Sequence, residues 1–272
     1  MFSSLWLSPP TVGGEIEWWV AVRPGSIGRM SDQAGYDVRL EWGREGVEVL
    51  GRSCGVLVVV DVLTFSTTVD LVVARGSKVL PLRWRDERAR GEAHQRKAVL
   101  GVAENGWPAR PSRLPDLPNR AMLAVPSPNG ATLSAAAAET DAVVLAGCLR
   151  NAGAVGAAAT GIAGGHPIGV IPAGERWGAG HREGLRPAVE DFLGAGAVVA
   201  ALADAGTTLS PEAELAAEAL AAARPRLTEL IANCSSGREV VQAGFADDAV
   251  LAAQLDSSRT VPMLVDGVFE AR

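Results

Sequence analysis

Val56-Leu57-Val58-Val59-Val60-Asp61-Val62-Leu63-Thr64-Phe65-Ser66-Thr67-Thr68 is the stretch that decides the fold. Val56 to Val60 is continuously apolar and almost entirely β-branched, as expected of a strand covered on both faces inside a sheet flanked by helices. An acid follows at once, and then a run of hydroxyl residues that opens a helical pattern.

Working outward, similar short apolar runs recur at Lys78 to Leu82, Ala121 to Val125, Ala142 to Ala146 and Ile168 to Ile171. Between them lie helical, mostly Ala-rich segments at Thr67 to Arg75, Arg85 to Val99, Ala131 to Glu139 and Asn151 to Ala159. This alternation predicts a three-layer α/β/α protein with a mostly parallel central sheet. Tyr36 to Trp42 alternates like a half-exposed strand. Three further helices are expected at Pro187 to Ala205, Pro211 to Ala223 and Arg226 to Ala232, the first ending before Gly206. The proline-rich stretch from Asn105 to Asn119 is the longest irregular connection, and such loops are often functional.

The chain has 272 residues, with 25 Lys and Arg against 31 Asp and Glu, a net charge of −6 and 48% hydrophobic residues. These values exclude disordered, collagenous and disulfide-scaffold classes. An acidic balance also argues against nucleic acid or an anionic membrane as partner. Lys78 and Lys97 are the only lysines, so an anion bound here meets guanidinium, which suits forked recognition of phosphate or sulfonate. Cys54, Cys148 and Cys234 are widely spaced without a CxxC pair, as in a reducing compartment. The longest apolar stretch, Phe192 to Ala203, is well short of the roughly 20 residues of a membrane span, and a cytoplasmic location is expected. Residues 1–34 read as a loose or disordered amino-terminal extension, with a strand at Glu17 to Val22 as the competing reading and Met30 as an alternative start. Residues 35–272 read as one domain, whose composition allows a homo-oligomer without requiring one.

In an open α/β sheet, ligands gather beyond the carboxyl ends of the strands, where helix amino termini present free N–H groups. Asp61 sits at that point of the most buried strand, placed to bind a metal or attack phosphorus, with Thr64, Ser66, Thr67 and Thr68 beside it. The plainer alternative is that Thr64 or Ser66 only caps the next helix. Asn129-Gly130 follows another strand and marks a tight turn; Glu175 and Arg176 follow a third. A carboxylate such as Glu175 suits Mg²⁺, which takes one or two carboxylates plus waters and phosphate oxygens. Arg186, Glu190 and Asp191 open the long helix, where a surface ion pair and a favourable helix dipole would also account for them. Glu190 and Asp191 diverge by about 100° around the axis, which argues against equal service to one metal. His94 and His166 read as surface residues, and His181 as at most a mobile anion contact.

Three familiar signatures fail. Leu63 and Phe65 stand where a DxDxT loop needs Asp and Thr, Val240 stands where a Cys-x5-Arg loop starting at Cys234 needs Arg, and no GxxxxGK[ST] loop occurs.

The ordered blocks do resemble one family, the 2-phosphosulfolactate phosphatases. They are Val59-Val60-Asp61-Val62-Leu63 with Ser66-Thr67-Thr68; Asn129-Gly130-Ala131-Thr132; Gly174-Glu175; Leu185 to Asp191 with Ala195-Gly196; Ser236-Gly237-Arg238 with Gly244-Phe245; and Leu255-Asp256 with Val261-Pro262. The resemblance implies a Mg²⁺-dependent phosphohydrolase that converts 2-phospho-3-sulfolactate to 3-sulfolactate, a step toward coenzyme M, on an α/β/α fold peculiar to the family. Two positions depart from the family pattern: Thr64 replaces an Arg, and Ser236 replaces a His.

The expected mechanism has Mg²⁺ on Asp61 with Glu175 or Glu190. Asp61, Asn129 and Glu190 are the catalytic candidates, with Asn129 and Thr67 at the equatorial oxygens. Thr64, Ser66, Thr67, Thr68, Arg176, Arg186 and Ser236 are the substrate-binding candidates, the arginines holding the sulfonate or carboxylate of a small phosphorylated acid. The rival expectation is a non-catalytic anion-binding protein on the same scaffold, or a phosphatase for another small phospho-acid.

Overall fold

A computed structural model of the chain describes residues 32–101, 110–114, 120–177 and 184–272. The segment 1–31, the bulk of the expected extension, lies outside the described residues, as does His181. Gln33, placed within the extension by sequence, is buried: its side-chain amide donates to the Leu40 carbonyl at 2.7 Å and accepts from the Leu40 N–H at 3.0 Å.

Among the described residues, nine strands form one sheet. In chain order they are β1 (Val38–Leu40), β2 (Val56–Val60), β3 (Lys78–Leu82), β4 (Val99–Leu100), β5 (Met122–Pro126), β6 (Val143–Gly147) and β7 (Ile168–Pro172), then β10 (Pro262–Val265) and β11 (Val268–Ala271). Their spatial order is β1-β7-β2-β6-β10-β11-β3-β5-β4. All neighbouring pairs are parallel except those involving β10 and β11, which are antiparallel to each other and to β6 and β3. β8 (Glu175–Arg176) and β9 (Leu185–Arg186) make a separate antiparallel pair.

β2 runs between β6 and β7, and all five of its residues have no exposed surface. Val56, Val58 and Val60 face one helical layer and Leu57 and Val59 the other, so an uninterrupted apolar run is what the position demands. The first layer contains α5 (Ala152–Ala163) and α6 (Val189–Ala203), with α7 (Pro211–Ala223), α8 (Leu227–Asn233) and α10 (Ala246–Ala252) joined to the same core. The second contains α1 (Gly43–Leu50), α2 (Phe65–Ala74) and α4 (Gly130–Ala137). α3 (Glu87–Gln95) packs on Leu80, Leu82 and Ala124 through Ala89 and Ala93. This is a three-layer α/β/α fold.

α7 occupies the expected residues, with Pro211 in its first turn and the Ser210 hydroxyl accepting from the Ala213 N–H at 3.2 Å. The other expected helices are present with shifted ends; α3 is the most shortened, beginning after Asp86, whose carboxylate accepts from the Arg88 N–H. β1 is not half-exposed. All three of its residues are buried, because Arg39 folds back to donate to the carbonyls of Tyr36 and Asp32 and to the Ser53 hydroxyl. Among the described residues no helix is long and apolar enough to cross a membrane.

Candidate active site

β2 delivers the chain to Asp61, and the loop beyond it turns into α2. The hydroxyl run builds that turn. The Ser66 hydroxyl accepts from the Asp61 N–H at 3.0 Å and donates to the Val59 carbonyl, the Thr67 hydroxyl donates to the Val62 carbonyl at 2.8 Å, and the Thr68 hydroxyl donates to the Thr64 carbonyl at 2.8 Å. All three residues are fully buried. Their hydroxyls therefore satisfy backbone groups that would otherwise be orphaned, and the expectation that Ser66, Thr67 and Thr68 contact substrate gives way to this fastening role. Thr64 precedes α2 without capping it through its side chain.

The Asp61 carboxylate is buried and receives three donors: the Gly130 N–H at 2.8 Å, the Ser127 hydroxyl at 3.3 Å and the Phe65 N–H at 3.3 Å. Phe65 and Gly130 are the first residues of α2 and α4, so two helix amino termini converge on one acid. The closeness explains the Asn-Gly turn. A Cβ at position 130 would lie 2.7 Å from Asp61 Oδ2 and 2.3 Å from the Phe65 ring. Burial nevertheless pushes the Asp61 carboxyl above its usual range, with the backbone hydrogen bonds opposing it.

Three more carboxylates surround it. Glu175 Oε2 accepts from the Asn129 side-chain amide at 2.9 Å, and burial, then the charge of Asp61, raises the Glu175 carboxyl to about 7. Asp191 accepts from the Val62 N–H at 2.7 Å and the Gly174 N–H at 2.8 Å, clamping the loop after β2 to the loop after β7. Gly174 has φ +65, and a Cβ there would meet Leu185 and the Arg186 carbonyl within 3 Å, so glycine is required. Burial, then the charges of Glu190 and Asp61, lifts the Asp191 carboxyl well above the usual carboxylate value. Glu190 is buried and accepts from Cys234 Sγ at 3.2 Å. That thiol is held neutral, pushed up to about 12 chiefly by burial and then by Glu190.

A cavity of about 370 Å³ opens over this cluster. Of the expected site residues, Asp61, Thr64, Asn129, Glu175, Arg176 and Ser236 line it. Arg186 and Glu190 do not. Arg186 donates to the Ser236 hydroxyl at 3.3 Å and stacks over Trp177 at 6.0 Å, bracing the wall instead. Asp191, weighed in the sequence as a helix-terminal acid and, with Glu190, as an acid unlikely to serve one metal equally, is the loop clamp.

Of the charged residues in the lining, Arg85, Arg110 and Glu239 had not been singled out, and Ser127 belongs to the turn read at Asn129-Gly130. Arg110 belongs to the proline-rich connection, lies 4.4 Å above the Phe245 ring and stands 3.7 Å from the fully buried Asp248 carboxylate. Asp248 also accepts from the Ser112 N–H at 2.8 Å, which anchors residues 110–114 to α10. The signal for Arg85 was its place at the carboxyl end of β3; without strand order, that end could not be matched to the end of β2.

Among the described residues, no group of three or more His, Cys, Asp or Glu side chains is disposed to hold a metal by itself. The donor set is all hard oxygen, with Asp61 buried and Glu175 partly buried on the same cavity wall and neither in an ion pair with a lysine or arginine among the described residues. That arrangement fits Mg²⁺, which binds through one or two carboxylates and completes its shell with water and phosphate.

No curated protein matches the chain significantly. The family model of 2-phosphosulpholactate phosphatase matches residues 48–267, most of the chain, a span that contains every acid and arginine of this cavity. The chain belongs to the 2-phosphosulpholactate phosphatase family and is a phosphoric monoester hydrolase.

Proposed function

We propose that the protein releases phosphate from 2-phospho-3-sulfolactate or a closely similar small phospho-acid, with Mg²⁺ as cofactor. The observation that carries this reading is Asp61: a buried carboxylate fixed by two helix amino termini, beside Glu175, in a cavity that also presents guanidinium groups.

Asp61 and Glu175 would hold Mg²⁺, which when bound would neutralise phosphate charge and polarise the bond to phosphorus. Both Asp61 oxygens accept hydrogen bonds from the protein, which suits a fixed ligand better than an attacking group. Asn129 orients Glu175. Arg85, Arg110 and Arg176 bind the phosphate oxygens and the acid group through charge-assisted hydrogen bonds. Thr64 and Ser236 leave neutral hydroxyls on the wall where the family pattern has a cation and an imidazole, so selectivity for the sulfonate rests on these arginines.

Phosphate release from a panel of phosphorylated three-carbon acids, with and without EDTA, tests the reading. Release that depends on Mg²⁺ and favours the sulfonated or carboxylated members is expected. Undiminished release in EDTA refutes the Mg²⁺ assignment, and no release from any member refutes the substrate class.

A further inference from the structure

The cavity at Asp61 adjoins a second one of about 610 Å³, and Arg85, Pro128 and Arg176 belong to the walls of both. Arg83, Asp86 and Arg88 complete the charged lining of this annex. Among the described residues, four guanidiniums thus line it with one carboxylate. Asp86 is already engaged: it pairs with the Arg88 side chain at 2.6 Å and caps α3 by accepting from the Arg88 N–H. Among the described residues, neither Arg85 nor Arg176 takes part in an ion pair. The aromatic residue of the annex, Trp84, has the guanidiniums of Arg83 and Arg88 at 5.1 and 5.0 Å from its ring centroid. Its π surface is therefore engaged by cations of the protein itself, and the annex offers charge without a stacking platform.

The first cavity has the volume of a complete small-molecule site and its own guanidiniums in Arg85, Arg110 and Arg176. A three-carbon phospho-acid is accommodated there without the annex. Resting on the phosphatase reading, we propose that the annex binds a second anionic group of the substrate, farther from the phosphate than in a three-carbon acid. A phosphomonoester with a remote phosphate, sulfonate or carboxylate and no flat base then spans both cavities and gains a contact that the three-carbon acid, held in the first cavity alone, does not make. Arg85 and Arg176 stand at the junction, and Arg83 supplies the distal charge beside the Arg88–Asp86 pair.

Calorimetric titration of the full-length protein without added metal, using hexane-1,6-diphosphonate and hexylphosphonate, whose second charge lies beyond the reach of a three-carbon acid, tests the annex directly. The diphosphonate is expected to bind about tenfold more tightly, by the measure of one further charge-assisted anion contact. That advantage should shrink as salt is raised and disappear in the double variant Arg83→Ala with Arg88→Ala, both exposed positions whose loss leaves the backbone cap on Asp86 in place. Equal affinities, no binding of either compound, or an advantage that survives the double replacement would overturn the proposal. Neither titration involves turnover. A diphosphonate preference in a protein that releases no phosphate would sink the phosphatase reading alone, whereas turnover without the preference would sink the annex alone.

Discussion

Two groups of buried acids in this protein are treated in opposite ways. Asp70 on α2 is fully buried, but Arg150 donates to it at 2.9 Å and Ser258 at 2.6 Å, and Arg150 further donates to Gln254 and to the Leu251 carbonyl. Asp61, Glu175, Glu190 and Asp191 gather at the other end of the same loop and helix, and no lysine or arginine forms an ion pair with any of them among the described residues. In the first group charge is cancelled internally, so it can only fasten the segment after α10 to α2. In the second, mutual repulsion and burial are offset only in part by N–H donors, so the carboxyls of Asp61, Glu175 and Asp191 are pushed above their usual range, and the function proposed above would supply a cation from outside. The contrast separates a structural acid from a functional one better than burial does, since Asp70 is as dry as Asp61, Glu190 and Asp191.

Breaking the uncompensated group should remove chemistry without unfolding the chain. Asp61→Asn is expected to lower the rate of phosphate release about a thousandfold or more with an unchanged circular dichroism spectrum; a variant that keeps its turnover would contradict the assignment. Breaking the compensated group should do the reverse. Arg150→Ala strands the Asp70 carboxyl, and denaturant unfolding should show a loss of about 3–5 kcal/mol while activity per folded molecule persists. A smaller effect is expected from the proposed Mg²⁺. Mg²⁺ at about a hundred times its Kd should stabilise the folded protein by about 2.7 kcal/mol, visible as a raised melting temperature in the wild type and in Arg150→Ala but absent in Asp61→Asn and Glu175→Gln.

The smallest effect is a calibration outside both groups. Asp37 is almost fully exposed, and its carboxyl is held below the usual value first by the Thr208 N–H and then by the Thr208 hydroxyl. A depressed folded pKa contributes stability that is present above the unfolded value near 3.8 and is lost as pH falls through the folded one. The difference in melting temperature between wild type and Thr208→Val should therefore be present at about pH 6 and fade below about pH 3. A difference that stays constant with pH would detach it from the carboxylate.

The parallel framework was readable because β2, β3, β5, β6 and β7 each carry a short apolar run followed by a helical pattern, a signal written locally. The β10–β11 hairpin left no comparable trace. Met263 and Leu264 are only partly buried, and a two-strand insertion between β6 and β3 is fixed by long-range pairing, which no local period reports. β1 was misjudged for a related reason: Arg39 looks like a solvent-facing residue until the loop carbonyls that receive it are known. In the site, Asp61 was legible from its place at a strand end. The division of labour among Ser66, Thr67, Thr68 and the cavity wall was not, because a hydroxyl beside a strand end serves backbone or ligand equally well until its acceptor is seen. Arg85 and Arg110 come from segments distant in sequence that only the sheet order brings together.

The same hairpin bears on how the molecule assembles. Among the described residues, the strand group β1-β7-β2-β6 and the group β3-β5-β4 share no backbone hydrogen bonds except through β10 and β11. Both groups precede the hairpin in the sequence, so the facing edges of β6 and β3 gain partners only when residues 262–271 dock between them, and a continuous sheet depends on that one hairpin.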